Sequence, residues 1–399
     1  MKLSRLLVPA VLCLAATGLL ATAGLGSTAQ SSGSSVVKIG VSANLSGAVP
    51  LPQLVDGYNA AIADANAKGG VTIGGKKTKL SLVVLDNKSD LNLMAQQMRT
   101  LVLQKKVSAL LGDCCQWNIN ASALADALKT PIMMSGLPLE LAPKTTGYRF
   151  LVFQSLADGV VDFYKLATTA GTNNKVAIVT NNDAQGGQIT GASAAVAKQL
   201  GFDVVSQSQL PVGTTDFSQA INQAKSANAQ VLFAEMILPD CFAFWKQMKA
   251  LGYQPKIAIG LQCAQTPGWP QLGSVGNGTL LVSHWTADSG LPRADALNAR
   301  FGKKWKDPSQ VAGAVAAYSA AEVLIDGIRR AHSADRNKID AALKKTNLAK
   351  TPLGPVRFDK NLVSKTPTVL GQWLDGKIKL VYPPSAKSSK LVVPVSGLG

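Results

Sequence analysis

The chain has 399 residues, 47% hydrophobic, 16% charged and only 6% aromatic. Its 36 glycines and 19 prolines are spread along it, which excludes a collagenous or long disordered architecture and leaves room for two or three folding units. Lys+Arg 40 against Asp+Glu 23 gives +17, and two histidines in all exclude a multi-histidine metal site.

In chain order, Lys2 and Arg5 come first, followed by an uncharged apolar run from Leu6 to Gly26. Ala21-Thr22-Ala23 and Ser27-Thr28-Ala29 supply small residues for cleavage, and no acidic residue occurs in the first 35 positions. This is the layout of a secretory signal peptide, expected over 1–29. The competing reading is an uncleaved anchor, since about 20 apolar residues span a bilayer. Pro9, Gly18 and the alanine-rich end favour cleavage, and Cys13 has no small residue directly before it to make it a lipid-anchor site. The expected location is extracytoplasmic, periplasmic or cell-surface associated. Without the leader the charge is +15, and its basic residues are scattered, as at Lys76, Lys77 and Lys79. No basic tract is interleaved with aromatics, so no nucleic-acid partner is expected.

Short apolar runs then recur at Val37–Val41, Leu80–Leu85, Val107–Leu111, Ile132–Met134, Val176–Val179, Val231–Ala234, Ile257–Ile259 and Leu280–Val282. Runs of that length suit strands buried on both faces of a parallel sheet. Between them lie helical stretches at 54–68, 91–105, 121–128, 159–170, 187–200, 217–227 and 240–251, with Asp90 as the cap of the second. The alternation predicts an α/β fold of doubly wound parallel sheets. It runs twice, and two such lobes would turn their loops into a shared cleft.

The chemistry the residues allow is limited. Gly70 to Lys76 fits G-x-x-x-x-G-K, but Lys77 stands where a hydroxyl is needed and a strand follows, so Gly74-Gly75 reads as a turn. No G-x-S-x-G or H-E-x-x-H occurs, and His284 and His332 stand alone. Neither a cofactor nor a metal is expected. Past the leader four cysteines remain: Cys114, Cys115, Cys241 and Cys263. An even count in an oxidising compartment favours disulfides. Cys241 and Cys263 each follow a predicted strand of the second unit, which makes them the favoured pair. Cys114 and Cys115 are left as either a vicinal disulfide or two thiols.

The motifs that follow resemble one family in collinear order. Val37-Lys38-Ile39-Gly40-Val41 leads through Leu45-Ser46-Gly47 to Ala63-Asp64-Ala65-Asn66-Ala67-Lys68-Gly69-Gly70. Leu85-Asp86-Asn87, Leu110-Leu111-Gly112, Pro131–Ser135, Gly213–Ser218 and Ala317–Ala331 come after it. This resembles the solute-binding proteins of ABC importers, of the branched-chain amino acid (Leu/Ile/Val-binding) type, over 36 to about 380. The resemblance implies the type I periplasmic binding protein fold, two lobes joined by a three-strand hinge that closes on ligand. It places lobe one at 36–155 plus 285–355, lobe two at 156–284 plus 356–382, and a loosely held tail at 383–399. It also implies a monomer whose partners are a small-molecule ligand and a membrane permease.

By the same resemblance, ligand contacts fall on Leu45 and Ser46, on Gln116, Trp117 and Asn118 after Cys115, and on Ser135, Gly136 and Leu137. In the second lobe they fall on Ile237 and Gln262. Amino acid binders of the family carry a glutamate at the position of Gln262, to pair with the ligand's ammonium. The change predicts a small, partly apolar ligand without a free ammonium, unless Asp183 or Asp158 supplies the carboxylate. A ligand-sensing receptor and an amidase-like enzyme using Cys115 are the other two classes this fold would serve.

Overall fold

The computed structural model describes residues 36–399 apart from Pro143, Thr145, Thr146, Gln262 and Ala386; Cys115, Leu141 and Ala184 are described in backbone only. The leader expected at 1–29 lies outside the described residues. Strand β1 (Val36–Ala43) leads into α1 (Pro52–Ala67) and the hairpin of β2 (Val71–Ile73) with β3 (Lys76–Asp86). Gly74 and Gly75 form its two-residue turn, both at positive φ, which is the conformation such a hairpin requires and no phosphate loop. Then come α2 (Leu91–Arg99), β4 (Ala109–Leu111), α3 (Cys115–Ala127), β5 (Ile132–Met134) and β6 (Arg149–Phe153).

The second pass is α4 (Leu156–Thr168), β7 (Lys175–Asn181), α5 (Ala184–Gln199), β8 (Asp203–Leu210) and α6 (Ser218–Ser226). It continues through β9 (Val231–Glu235), α7 (Leu238–Ala250), β10 (Ile257–Ile259) and β11 (Leu280–Ser283). The chain then returns with α8 (Ala294–Phe301), α9 (Pro308–Ala331), α10 (Arg336–Leu343) and the hairpin β12 (Asn347–Thr351) with β13 (Gly354–Arg357). It ends with β14 (Val363–Lys365), β15 (Val369–Leu374) and β16 (Lys377–Tyr382).

Beside the two-stranded β12-β13, two seven-stranded sheets result, in the orders β14-β6-β5-β4-β1-β3-β2 and β16-β15-β11-β10-β9-β7-β8. The first is parallel except for β2, and the second is parallel from β11 to β8, with β15 and β16 antiparallel at its edge. Buried apolar residues on both faces of the central strands, such as Leu110 and Leu111 or Ile178 and Val179, account for the continuous apolar runs. In the first lobe α1 lies hard against α9: a Cβ on Gly57 would stand 2.2 Å from the Ala314 carbonyl oxygen. Asp90 caps α2 as expected, accepting from the amides of Asn92 and Leu93 at 2.7 and 2.8 Å.

Two parts of the expected organisation change. Val363–Lys365 pairs with Leu151–Phe153, and Val356, Phe358 and Leu362 lie in the first core, so the last crossover follows β14 and not residue 355. The segment 383–399 is not loose. Val395 and Leu398 are buried in the second core, the Gln372 side chain exchanges two hydrogen bonds with the backbone of Val392, and Lys249 Nζ donates to the Gly399 carbonyl. The chain therefore passes between sheets three times, after β6, after β11 and after β14.

Candidate functional site: the interlobe cleft

The loops that leave the carboxyl ends of the strands in both sheets surround one cavity of about 1010 Å³. The first lobe contributes Ala48–Leu51 and, at the start of α9, Lys306, Asp307 and Gln310. The second contributes Asn181, Asp183, Glu235–Pro239 and Thr266–Gly268. Val49 and Ile237 are both 40% exposed although each is large and apolar, so this wall offers hydrophobic surface to a ligand.

Hydrogen bonds hold the second-lobe wall in place. Asn181 closes β7 and accepts from the Ile237 amide at 2.8 Å, while its own amide donates to Asp240 at 2.8 Å. Asp183 caps α5 through the Gly186 amide at 2.7 Å. Glu235 ends β9 with 5% of its surface exposed, and Gln185 Nε2 donates to its Oε1 at 3.1 Å. A disulfide joins Cys241, in the first turn of α7, to Cys263 after β10, with Cα atoms 6.5 Å apart. Asp307 links the lobes: it accepts from the Ser309 amide at its own helix start and from the Gly268 amide opposite, at 2.8 and 2.9 Å.

The first lobe ends its strands in a row of buried polar residues: Asn87, Asn44, Asp113, Ser135, Gln154 and Thr366, after β3, β1, β4, β5, β6 and β14. Among the described residues, Asp113 Oδ1, Thr366 Oγ1 and both polar side-chain atoms of Asn44 and Gln154 have no hydrogen-bond partner. Burial pushes the Asp113 carboxyl up to about 7, against the opposing hydrogen bonds from the Asn44 and Cys114 amides and the Asn87 side chain. None of the six lines the cavity. At the crossover after β11, His284 packs against Phe153 of the neighbouring crossover, with ring centres 5.1 Å apart and planes tilted by 45°. Its Nε2 lies 3.3 Å from the Ala312 carbonyl and its Nδ1 3.3 Å from Gln265 Nε2, partners that assign the proton to Nε2. Burial holds its imidazole down to about 4.

Of the residues expected at the site, Asp183 and Ile237 line the cavity. Gln262 lies outside the described residues. Leu45 and Ser46 do not line it, because both amides and the Ser46 hydroxyl are turned onto the Asp86 carboxylate; Ala48–Leu51 of the same loop stand there instead. Gln116, Trp117 and Asn118 belong to the first turn of α3, six residues before the expected helix start. The Gln116 side chain is exposed away from the cavity lining. Trp117 is 5% exposed and packs in the core with Met94 and Met98. Asn118 braces the loop, accepting from the Asp113 amide at 2.8 Å and donating to the Ser135 carbonyl at 3.3 Å. Leu137 is buried in the same core, and Ser135 and Gly136 form the turn before it. Asp158 is paired with Lys365 at the crossovers and does not reach the cavity lining.

Glu235 is the residue the sequence reading misses. The apolar run stops at Ala234, yet the first charged residue after a buried parallel strand is the one the fold delivers to the cleft. Among the described residues no cluster of three His, Cys, Asp or Glu is placed to hold a metal.

Two α/β lobes with their strand ends turned on one cavity define a solute-receptor architecture. Residues 36–377 match the family described as periplasmic binding protein, and the chain belongs to that family. It is 24% identical to Leu/Ile/Val-binding protein homolog 7 of Brucella abortus, an alignment covering 85% of this chain and 88% of the relative. Among solved structures it is similar to the branched-chain amino acid transporter substrate-binding protein LivJ of Streptococcus pneumoniae in complex with isoleucine. There the TM-score is 0.72 and the identity 20%, over 87% of this chain and 100% of that one. It is also similar to an R. palustris ABC transporter solute-binding protein in complex with 4-hydroxybenzoate, with TM-score 0.68 and 23% identity over 86% and 95% of the two chains.

Proposed function

We propose that the protein is an extracytoplasmic receptor that captures a small, partly apolar solute between its lobes and delivers it to the permease of an ABC importer. The observation that carries this reading is the cavity of about 1010 Å³ shared by both lobes, with exposed Val49 on one side and Ile237 on the other. Binding is the whole of its task, with no reaction catalysed, and a single chain suffices. The inference that leucine-like amino acids are excluded because Gln262 is uncharged loses its premise, since Glu235 and Asp183 bring carboxylates to the cavity wall.

Thermal-shift screening against amino acids, aromatic acids, amides and amines tests this reading. A true solute stabilises the fold by RT ln(1 + [L]/Kd), about 2.7 kcal/mol at a hundredfold excess over Kd. Small-angle scattering with that solute should show compaction as the lobes close. Deleting the gene should abolish uptake of the solute that binds. Uptake unchanged by the deletion, together with an altered transcriptional response, would favour the sensor reading. Turnover lost in Cys115→Ser would favour the enzyme.

A further inference from the structure

We propose that the cleft selects a protonated aliphatic amine, its ammonium end held by Glu235 and Asp183 and its apolar body packed against Val49 and Ile237. This rests on the solute-receptor reading above and adds the charge and shape of the solute. The first argument is a reversal of sign. The chain carries +17, yet the described cavity lining has the carboxylates of Asp183, Glu235 and Asp307 against the single base Lys306. Lys306 is folded back onto the Gly302 and Lys303 carbonyls at 3.0 and 3.1 Å. Both oxygens of Asp307 accept backbone amides, from Ser309 and Gly268. The second lobe's two carboxylates on this wall are Glu235 and Asp183, both at strand ends.

The second argument is the surroundings of Glu235. It ends a strand buried on both faces and is itself 5% exposed, so the local dielectric is low. There a carboxylate attracts a cation more strongly, and repels an anion more strongly, than it would at the surface. Gln185 fixes its orientation through Oε1. The third argument is what the described lining does not hold. It has no arginine to grip a solute carboxylate in the two-pronged way that planar acids favour. It has no aromatic ring either, so it is no cage for a quaternary ammonium and no stacking surface for a benzoate. An ammonium that still carries N–H groups, on an aliphatic body, satisfies every one of these conditions.

Titration calorimetry on the mature protein with 3-methylbutylamine, leucine, 4-methylpentanoate and 4-hydroxybenzoate separates the possibilities. The first three share an isobutyl body and differ in charge, and the fourth carries its negative charge on an aromatic ring. The amine should bind most tightly, leucine more weakly because its carboxylate meets no guanidinium, and the two acids weakest. Glu235→Gln should weaken the amine about a hundredfold, the scale of losing one partner of a buried ion pair, and leave the acids unchanged or better bound. Asp183→Asn retains an N-cap side chain and so keeps the α5 start; it should cost the amine several-fold, and it serves as the test should Glu235→Gln fail to fold. Amine affinity unaffected by both substitutions would overturn the proposal. Either acid binding more tightly than the amine, with lobe closure, would overturn the charge assignment and leave the receptor standing. Inertness to all four probes would also overturn the charge assignment, and the receptor reading would fall only if the wider solute panel were inert too.

Discussion

The two lobes finish their strands at the cleft in opposite ways. Lobe one closes six strands with buried polar side chains, five of them amides or hydroxyls, and its one acid, Asp113, is pushed toward the neutral form. Lobe two brings Asp183 and Glu235 to the cavity wall and ties its lining loops together with side-chain hydrogen bonds and the Cys241–Cys263 bridge. Fold and topology are nearly repeated, so the difference lies in the residue chosen at each strand end. Lobe one keeps its strand-end polar groups buried behind the cavity lining, whereas lobe two turns two strand-end carboxylates onto it from a stiffened frame.

The covalent frame gives the largest expected effect. The bridge closes a segment of sequence separation 22, for which the chain-entropy relation gives about 3 kcal/mol. Cys241→Ser with Cys263→Ser should lower the melting temperature under oxidising conditions and match the reduced wild type. Equal melting of oxidised variant and oxidised wild type would remove the stiffening from the comparison.

Helix packing should show the next largest contrast. In lobe one Gly57→Ala places a methyl 2.2 Å from the Ala314 oxygen and 2.8 Å from the Ala317 Cβ, an overpacking that costs about 1–3 kcal/mol. In lobe two Gly191→Ala on α5 meets nothing within 4 Å and should stabilise by about 0.5–1 kcal/mol, since alanine loses less backbone freedom than glycine in a helix. Denaturant midpoints for the pair check both signs.

The pH dependence sharpens the comparison further. Asp113 has a folded value raised from 3.8 to about 7, so its neutral form is preferred on folding. Its contribution is fully present near pH 4 and is lost as pH rises toward 7, at about 1.4 kcal/mol per pH unit. His284, lowered from 6.5 to about 4, has the opposite sign: its contribution is present above pH 6.5 and is lost as pH falls toward 4. Between pH 4 and 6.5 the two slopes oppose each other. Asp113→Asn should leave stability climbing with pH across that window, and His284→Asn should leave it falling. Unfolding free energies at pH 4.5, 5.5 and 6.5 test this, and slopes of the same sign in both variants would show the assignment to be mistaken. Asp90→Ala should cost about 1 kcal/mol from a lost helix cap, read as a lower denaturant midpoint.

The parallel cores were legible in the sequence because strands buried on both faces must be apolar throughout, and Ile132–Met134 and Ile257–Ile259 match their observed bounds. The late strands were not. β12, β13, β14 and β16 are short and carry exposed lysines or arginines on one side, so no continuous apolar run marks them. The site was read less well than the fold. Trp117 and Leu137 looked like ligand surface, but a large apolar residue beside a strand end serves a core equally well, and their burial decides for the core. Asp183 and Ile237 reached the wall because each begins a helix directly after a strand, a position that topology alone directs to the cleft.

The interleaving of the lobes has a consequence for how the protein is made. Residues 36–153 form most of the first sheet, but the helix that covers it, α9, and its edge strand β14 are encoded after the entire parallel set of the second. The second sheet in turn awaits β15, β16 and the residues up to Leu398 that seal its core. A ribosome reaching residue 300 has therefore completed neither lobe, and an emerging chain stays unsealed until its last few dozen residues appear. Any machinery that must carry this polypeptide in an unfolded state has nearly the full time of synthesis in which to engage it.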